Sequence, residues 1–349
     1  MTREPSLTDI ADATAQLDEL AATVRRIVNQ AWSVGHTRAL LDSPAPAFDE
    51  NLWATLVGMG WPDVLVAESA GGGGGSIREL CVLTEATGTV AAPVPLAAAA
   101  AAHWCEQRGG DDIAVLLDDI GATMSEGRVD GHWPLVPYGA VTDRLVILAD
   151  RHGEPVLGTV DATGGGVKRQ TERPLDHSPA ANITLDGAPL CDIATGADAV
   201  ARHRDAVARA RLATVAELIG TASAAHEAAV AYAKMRVTFG RPIGARQAIK
   251  HRLVEQRSVI EVARALVHRA ADALELRHPD AESLVSLAVF WAIDTLRGVP
   301  EGATQVFGGI AYTWEHDAHV HLRRAATLVT ILGTRAQHRS VVADWLQSR

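Results

Sequence analysis

The sequence predicts an α+β chain, mainly α: an N-terminal helical domain over residues 1–111, a small middle β domain over 112–197 and a C-terminal four-helix bundle over 198–349. Three observations predict it. Ile10, Leu17, Leu20, Val24 and Ile27 recur at near-helical steps. Between residues 112 and 195 that spacing gives way to short apolar runs bounded by Asp, Gly and Pro. From Asp205 onward Gly and Pro become scarce, and Val207, Leu212, Val215, Leu218 and Ile219 form an apolar stripe of helical period.

Within the first domain, Leu52, Leu56 and Met59 continue the helical pattern. The five-glycine run Gly71 to Gly75 then closes a loop, and Ser76 is placed to cap a helix carrying Ile77, Leu80, Leu83 and Ala86. The run lacks the strand, Gly-x-Gly-x-x-Gly, helix order that cradles a dinucleotide, so it reads as a flexible loop. Strands are predicted over 113–117, 144–149, 156–160 and 180–185, the last followed by a turn at Asp186-Gly187. Further helices are predicted over 247–277, 282–297 and 314–332, and four long amphipathic helices in succession imply an antiparallel bundle.

Composition excludes several classes. The net charge is −10, from 32 basic and 42 acidic residues, with no Lys/Arg block to track phosphates, so nucleic acid is not an expected partner. No signal-peptide pattern opens the chain, and the Ala run at 97–102 is too short to span a bilayer, so a cytoplasmic protein without a membrane partner is expected. Cys81, Cys105 and Cys191 show no paired spacing and read as buried free thiols. His316, His319 and His321 are close in sequence, but their helical positions do not converge on one point, so no metal is expected.

Two motifs carry chemistry. Tyr232, Arg236, Phe239-Gly240, Ile243-Gly244, Gln247 and His251 stand at the spacing Tyr-x-x-x-Arg-x-x-Phe-Gly-x-x-Ile-Gly-x-x-Gln-x-x-x-His, and Gln305, Gly308-Gly309 and Tyr312 form a second block. Together they resemble the signatures of acyl-CoA dehydrogenases, and the segments around Phe48, Trp53 and Trp61 resemble that family's opening domain. The resemblance implies FAD lying extended across a subunit interface, with part of its site donated by the neighbouring chain. It implies that Arg236 contacts the pyrophosphate, where a planar guanidinium fork meets phosphate oxygens. Phe239 and Gln247 would then lie against the cofactor, and Gln305 and Gly309 would approach its adenosine half. Taken singly, Arg236 could instead pair with a carboxylate, and the Gly pair could simply end a helix.

The chain departs from an active member. Family chemistry needs a carboxylate to take the α-proton of an acyl-CoA while the β-hydrogen leaves as hydride to the flavin. Aligned by the resemblance, one base position falls on Leu332, in Leu332-Gly333-Thr334, and the alternative on Ala210, in Ala210-Arg211. The loop that touches flavin and substrate in active members is also missing from 116–125, as is the later Trp-x-(Thr/Ser)-Asn-like strand. Asp118, Glu217, Glu227, Glu315 and Asp317 are the remaining carboxylates to weigh. Glu217 lies about two turns, roughly 10 Å, along the helix from Ala210. Glu315 and Asp317 are expected to cap the helix or pair with Arg323 or Arg324, so no catalytic residue is assigned.

These features resemble the base-lacking subunit of actinobacterial α2β2 acyl-CoA dehydrogenases of the steroid type. That implies a tetramer with a base-bearing partner, an acyl-CoA substrate whose identity the sequence does not specify, and FAD at the interface. Two other readings stay open: a self-sufficient homotetrameric dehydrogenase with a non-standard base, and a flavin-free scaffold.

Overall fold

The structure, a computed structural model, describes the backbone of residues 7–118 and 121–349, and side chains from residue 15 onward within those spans. Helices α1 (Leu7–Ala31), α2 (Val34–Leu41), α3 (Glu50–Gly58), α4 (Ile77–Thr89) and α5 (Leu96–Glu106) build the first part. Ser76 caps α4 as its sequence predicts: its side chain accepts from the Glu79 amide, and the Glu79 carboxylate accepts from the Ser76 amide at 2.6 Å. Ile77, Leu80, Leu83 and Ala86 all face the core.

The glycine run corrects the expectation of a flexible loop. The amides of Gly72, Gly73, Gly74 and Gly75 donate to the carbonyls of Ala67, Asp63, Val66 and Val64, folding the run back on the preceding turn. A side chain at Gly72 would collide with Val66, so glycine here serves close packing.

The sheet has eight strands in the order β6-β7-β3-β2-β4-β5-β8, with β1 also on β4. They are β1 (Ala114–Leu116), β2 (Ala122–Ser125), β3 (Arg128–Val136), β4 (Arg144–Arg151), β5 (Glu154–Asp161), β6 (Val167–Glu172), β7 (Ala180–Pro189) and β8 (Cys191–Thr195). The four predicted strands are β1, β4, β5 and β7. Asp186-Gly187 does not turn the chain: it lies inside β7, and the β3–β7 ladder takes up the irregularity as a register shift between Val129 and Gly131.

Strands β1 and β2 both pair in parallel with β4, Leu116 opposite Val146 and Ala122 opposite Ala149. The two are therefore one strand interrupted by a short excursion over 117–121. Asp119 and Ile120, within it, lie outside the described residues.

The C-terminal bundle is built on α6 (Gly196–Met235), which begins before the predicted stripe because Ala199 and His203 already face inward. A two-residue-strand hairpin, β9 (Val237–Thr238) and β10 (Arg241–Pro242), leads into α7 (Gln247–Glu275). Then follow α8 (Ala281–Trp291), a π turn at Ala292–Leu296, α9 (Gly298–Phe307), α10 (Ala318–Ile331) and α11 (Arg335–Gln347). The predicted helix over 314–332 thus starts later, at Ala318, and α9 and α11 are additions to the reading. The stretch Ala281–Tyr312 is apolar and long enough to cross a membrane, but 50% of its most apolar window is buried inside the protein, as befits a central bundle helix.

Helix α4 crosses α6 at a pair of glycines. A Cβ on Gly88 would strike the Glu217 carbonyl, and one on Gly220 would strike the Glu85 carbonyl. The Thr221 hydroxyl donates to the Gly88 carbonyl at 3.1 Å, locking the crossing. One continuous apolar core therefore runs from α1 and α4 through the sheet into α6, α7 and α8.

Candidate functional site

A cavity of about 570 Å³ lies where the end of β3, the start of α5, the middle of α6 and the end of α10 meet. Ala210 on α6 and Leu332 at the end of α10 both line it. The two base positions that the sequence analysis placed far apart in the chain thus face one space, each with an aliphatic side chain.

Two carboxylates, Asp118 and Glu217, are on the same walls, and both are engaged. Asp118 Oδ2 accepts from Arg211 Nη2 at 2.6 Å. Glu217 Oε1 accepts from Arg324 Nε at 2.8 Å and from Arg324 Nη2 at 2.5 Å. Arg324 also donates through Nη1 to Asp176 Oδ2 at 2.7 Å and through Nη2 to the Tyr138 hydroxyl at 2.9 Å. This cluster is fully enclosed, with Arg324 2% exposed. Burial raises the Glu217 pKa above the ordinary carboxylate value, with the Arg324 charge pulling against it. Burial alone would lower the Arg324 pKa, but Glu217, Tyr138 and Asp176 together hold it well above the ordinary value. A carboxylate gripped at one oxygen by two guanidinium donors is an anchor for a cation rather than a free base.

Arg324, Asp176 and Tyr138 were not found as a group by the sequence analysis. The expected pairing of Glu315 and Asp317 with Arg323 or Arg324 is corrected. Asp317 Oδ1 takes Arg38 Nη1 at 2.7 Å, and the Glu315 backbone carbonyl takes the same nitrogen, tying α2 to the turn before α10. Arg323 instead donates to the Leu175 carbonyl at 3.0 Å and lies over the Trp314 ring. Glu227 pairs with Arg25 on α1.

The two sequence motifs meet at the other end of α6. Tyr232 and Phe307 pack edge to face with ring centroids 5.3 Å apart. Around them Ala229, Ala233, Ile243, Leu253, Ala303 and Val306 form a second small core. The five expected cofactor residues are disposed on its outer surface: Arg236, Phe239, Gln247, Gln305 and Gly309 are all exposed. Arg236 forms no side-chain hydrogen bond or ion pair among the described residues. The helix-ending reading does hold for the first glycine of the pair: Gly308 ends α9 with φ 71°. Gly309, next to it, leaves open space where a Cβ would stand.

Phe239 is the most unusual of the five. It and Gly240 are the two loop residues of the β9–β10 hairpin, with φ of 49° and 76°, as a type I′ turn requires. A left-handed phenylalanine is strained, and this one is 95% exposed. Met235 and Val237, which precede the hairpin tip in the chain, are also exposed. Gln247 is the first residue of α7, whose opening amides have no side-chain cap and so present a positive dipole end. Gln305 borders an open groove of about 910 Å³ between α7 and α9.

The three clustered histidines lie in separate surroundings. His316 packs on the Phe307 ring at 4.5 Å, His319 stacks on Trp314 at 4.4 Å, and His321 is buried, which pushes its pKa down to about 4. Of the three cysteines, Cys81 and Cys105 are buried as expected, whereas Cys191 is exposed on the edge strand β8.

Comparison with known proteins agrees with this architecture. The family model described as "Acyl-CoA dehydrogenase, N-terminal domain" matches residues 14–110, and "Acyl-CoA dehydrogenase, C-terminal domain" matches 199–347. The acyl-CoA dehydrogenase IpdE2 of Mycolicibacterium smegmatis is 31% identical over 335 residues, covering 93% of this chain and 97% of that protein. Among solved structures, a variant of the Tcur3481-Tcur3483 steroid ACAD superposes with a TM-score of 0.86 at 26% identity, covering 96% of this chain and 98% of the other. The ChsE4-ChsE5 complex from Mycobacterium tuberculosis superposes at 0.85 with 24% identity, covering 95% and 97%, and supports the fold. With both halves matched and a full-length relative above thirty per cent identity, the chain belongs to the acyl-CoA dehydrogenase family, a family of flavoprotein oxidoreductases.

Proposed function

We propose that this chain is the base-lacking subunit of a heteromeric FAD-dependent acyl-CoA dehydrogenase, which completes the cofactor site of a base-bearing partner. The observation that carries the reading is Phe239, strained and 95% exposed on a hairpin tip beside the unpaired Arg236. The Arg246 guanidinium stands 5.5 Å from the ring centroid, yet the ring stays almost wholly exposed in the left-handed region, which is costly for an isolated chain, and contact with a partner or its cofactor would offset that cost.

The donor chemistry fits the pyrophosphate and adenosine portions of FAD. Arg236 supplies a guanidinium without a side-chain partner among the described residues, the α7 N-terminus at Gln247 supplies amide donors and a favourable dipole, and Gln305 and Gly309 supply a hydrogen-bonding amide and a surface without a side chain. On the wall of the chain's own cavity, Asp118 is tied to Arg211. When bound, FAD accepts the hydride, and the proton must go to a base that Ala210 and Leu332 do not provide. The Tcur3481-Tcur3483 enzyme is a steroid ACAD and the ChsE4-ChsE5 structure is a complex, which supports a steroid-derived CoA ester as substrate and a second subunit as partner.

Dye-coupled dehydrogenation of a panel of steroid-derived CoA esters tests this. The chain with a base-bearing partner should turn over at least one ester, and the chain alone none. Turnover by the chain alone would overturn the reading in favour of a self-sufficient enzyme.

A further inference from the structure

We propose that the end of the bundle where α6 turns into α7 is an electrostatic docking surface for an acidic face of the partner subunit. The inference rests on the proposed heteromeric function and extends it from the cofactor to the protein that carries it.

Between Glu227 and Glu255 the chain has no Asp or Glu and six cations, Lys234, Arg236, Arg241, Arg246, Lys250 and Arg252, in a protein whose net charge is −10. Spaced two to five residues apart, they form no block in the sequence, and the β9–β10 hairpin gathers them. The Ile243 amide donates to the Arg236 carbonyl at 2.8 Å, Arg241 stands opposite Thr238 in the ladder, and Arg246 Nη2 reaches the Thr238 carbonyl at 3.5 Å. All but Arg246 are exposed, and none forms an ion pair among the described residues. Arg252 shares the α7–α9 groove with Glu255 and Glu301, and Glu227 is already paired with Arg25. Five cations around the hairpin are thus left without a carboxylate partner among the described residues.

This placement works against the chain's own electrostatics. Anions stabilise a helix N-terminus and cations its C-terminus, yet α7 opens with Arg246 and Lys250, carries no acidic residue in its first turn and has no capping side chain. Like charges gathered on one surface repel one another in the free chain, and an anionic surface laid over them offsets that cost. The pyrophosphate of a dinucleotide would engage Arg236 and the α7 amides, which leaves Lys234, Arg241, Arg246 and Lys250 for carboxylates of the protein around it. Phe239, 95% exposed among these cations, adds the aromatic anchor with a charged rim that marks a protein–protein contact.

The first test uses the full chain purified alone. The probe is a fluorescein-labelled Glu-rich peptide, read by fluorescence anisotropy beside a control peptide with Gln at every Glu. Saturable binding of the Glu peptide only is expected, weakening about tenfold between about 0.05 and 0.5 M salt as screening sets in. Lys234→Gln, Arg241→Gln and Lys250→Gln together should weaken it about tenfold, the sum of three exposed charge contacts. Arg108→Gln, Arg128→Gln and Arg339→Gln, also exposed but on α5, β3 and α11, should leave it unchanged. With a base-bearing partner, the variant at 234, 241 and 250 should assemble about tenfold more slowly, while the complex that forms keeps its flavin because Arg236 is intact. Peptide binding without any flavin-containing complex would count against cofactor donation and still support the docking surface. Equal binding of the two peptides, equal loss in both triple variants, or assembly at the wild-type rate would each overturn the proposal. So would tighter binding of a single-stranded oligonucleotide, or of phosphatidylglycerol vesicles, than of the Glu peptide at about 0.15 M salt.

Discussion

Arg324 grips Glu217 through two nitrogens on a single carboxylate oxygen, at 2.8 and 2.5 Å, in the floor of the cavity where a dehydrogenase needs a free base. The contact joins α10 to α6, and Asp176 and Tyr138 extend it to the β sheet's connecting segments. The same side chain that could have been mistaken for a catalytic carboxylate is thereby committed to holding the bundle and the sheet together.

Removing the cation should expose the cost of the cluster. Arg324→Met leaves Glu217 and Asp176 buried without a counter-charge and should destabilise the chain by about 3–5 kcal/mol. Adding Glu217→Gln and Asp176→Asn should recover most of that loss, because no isolated charge remains buried. Urea denaturation of the single and triple variants reads the difference; equal midpoints would show that the cluster is not the anchor described.

His321 should make the fold acid-sensitive. Burial lowers its pKa from 6.5 to about 4, so below 6.5 the unfolded chain takes up a proton that the folded chain refuses. The stability it supports is complete above pH 6.5 and is lost as pH falls toward 4, amounting to about 3 kcal/mol across that window. In His321→Leu the denaturation midpoint should fall less steeply between those two pH values than in the wild type, and an unchanged pH slope would count against this assignment.

At the α4–α6 crossing, Gly88→Ala and Gly220→Ala each force a methyl into a facing carbonyl. Overpacking of this kind costs about 1–3 kcal/mol, so both variants should melt lower, and their double mutant should be non-additive because the two sites share one contact. Thermal unfolding followed by circular dichroism measures it, and unchanged midpoints would mean that the helices separate without penalty.

Restoring a carboxylate should not by itself restore chemistry. Leu332 is 1% exposed, and Leu332→Glu buries an ionisable group without a partner, lowering stability by at least about 2 kcal/mol. The variant alone should still give no dye-coupled turnover, since under the proposed function a partner is needed to complete the flavin site. Activity from this variant without a partner would place the deficiency in the missing base alone.

Much of the fold was legible because its strongest signals are local. Ser76 announces the start of α4, whereas the β9–β10 hairpin between α6 and α7 was not read, because Phe239-Gly240 is not an ordinary turn pair. Other elements hid for physical reasons. Strand β6, Val167-Lys168-Arg169-Gln170-Thr171-Glu172, is solvent-facing and shows no apolar alternation, and β3 is broken by Gly131 and Pro134. Helix α9 carries Pro300 in its first turn, where proline is tolerated but reads as a breaker. The Arg324 cluster was invisible because Asp176 and Glu217 reach it from distant segments that only the folded chain brings together. That Ala210 and Leu332 line one cavity was likewise hidden in the sequence.

Under the proposed function this chain lends its surface to a flavin it does not hold by itself, and the ratio of flavin to protein reads that out. Absorbance of the purified chain should show no bound flavin. The complex with a base-bearing partner should show flavin at a fixed stoichiometry, which Arg236→Ala and Phe239→Ala reduce while the complex still assembles. Stoichiometric flavin on the chain alone, or a complex whose flavin content is untouched by Arg236→Ala, would contradict the account.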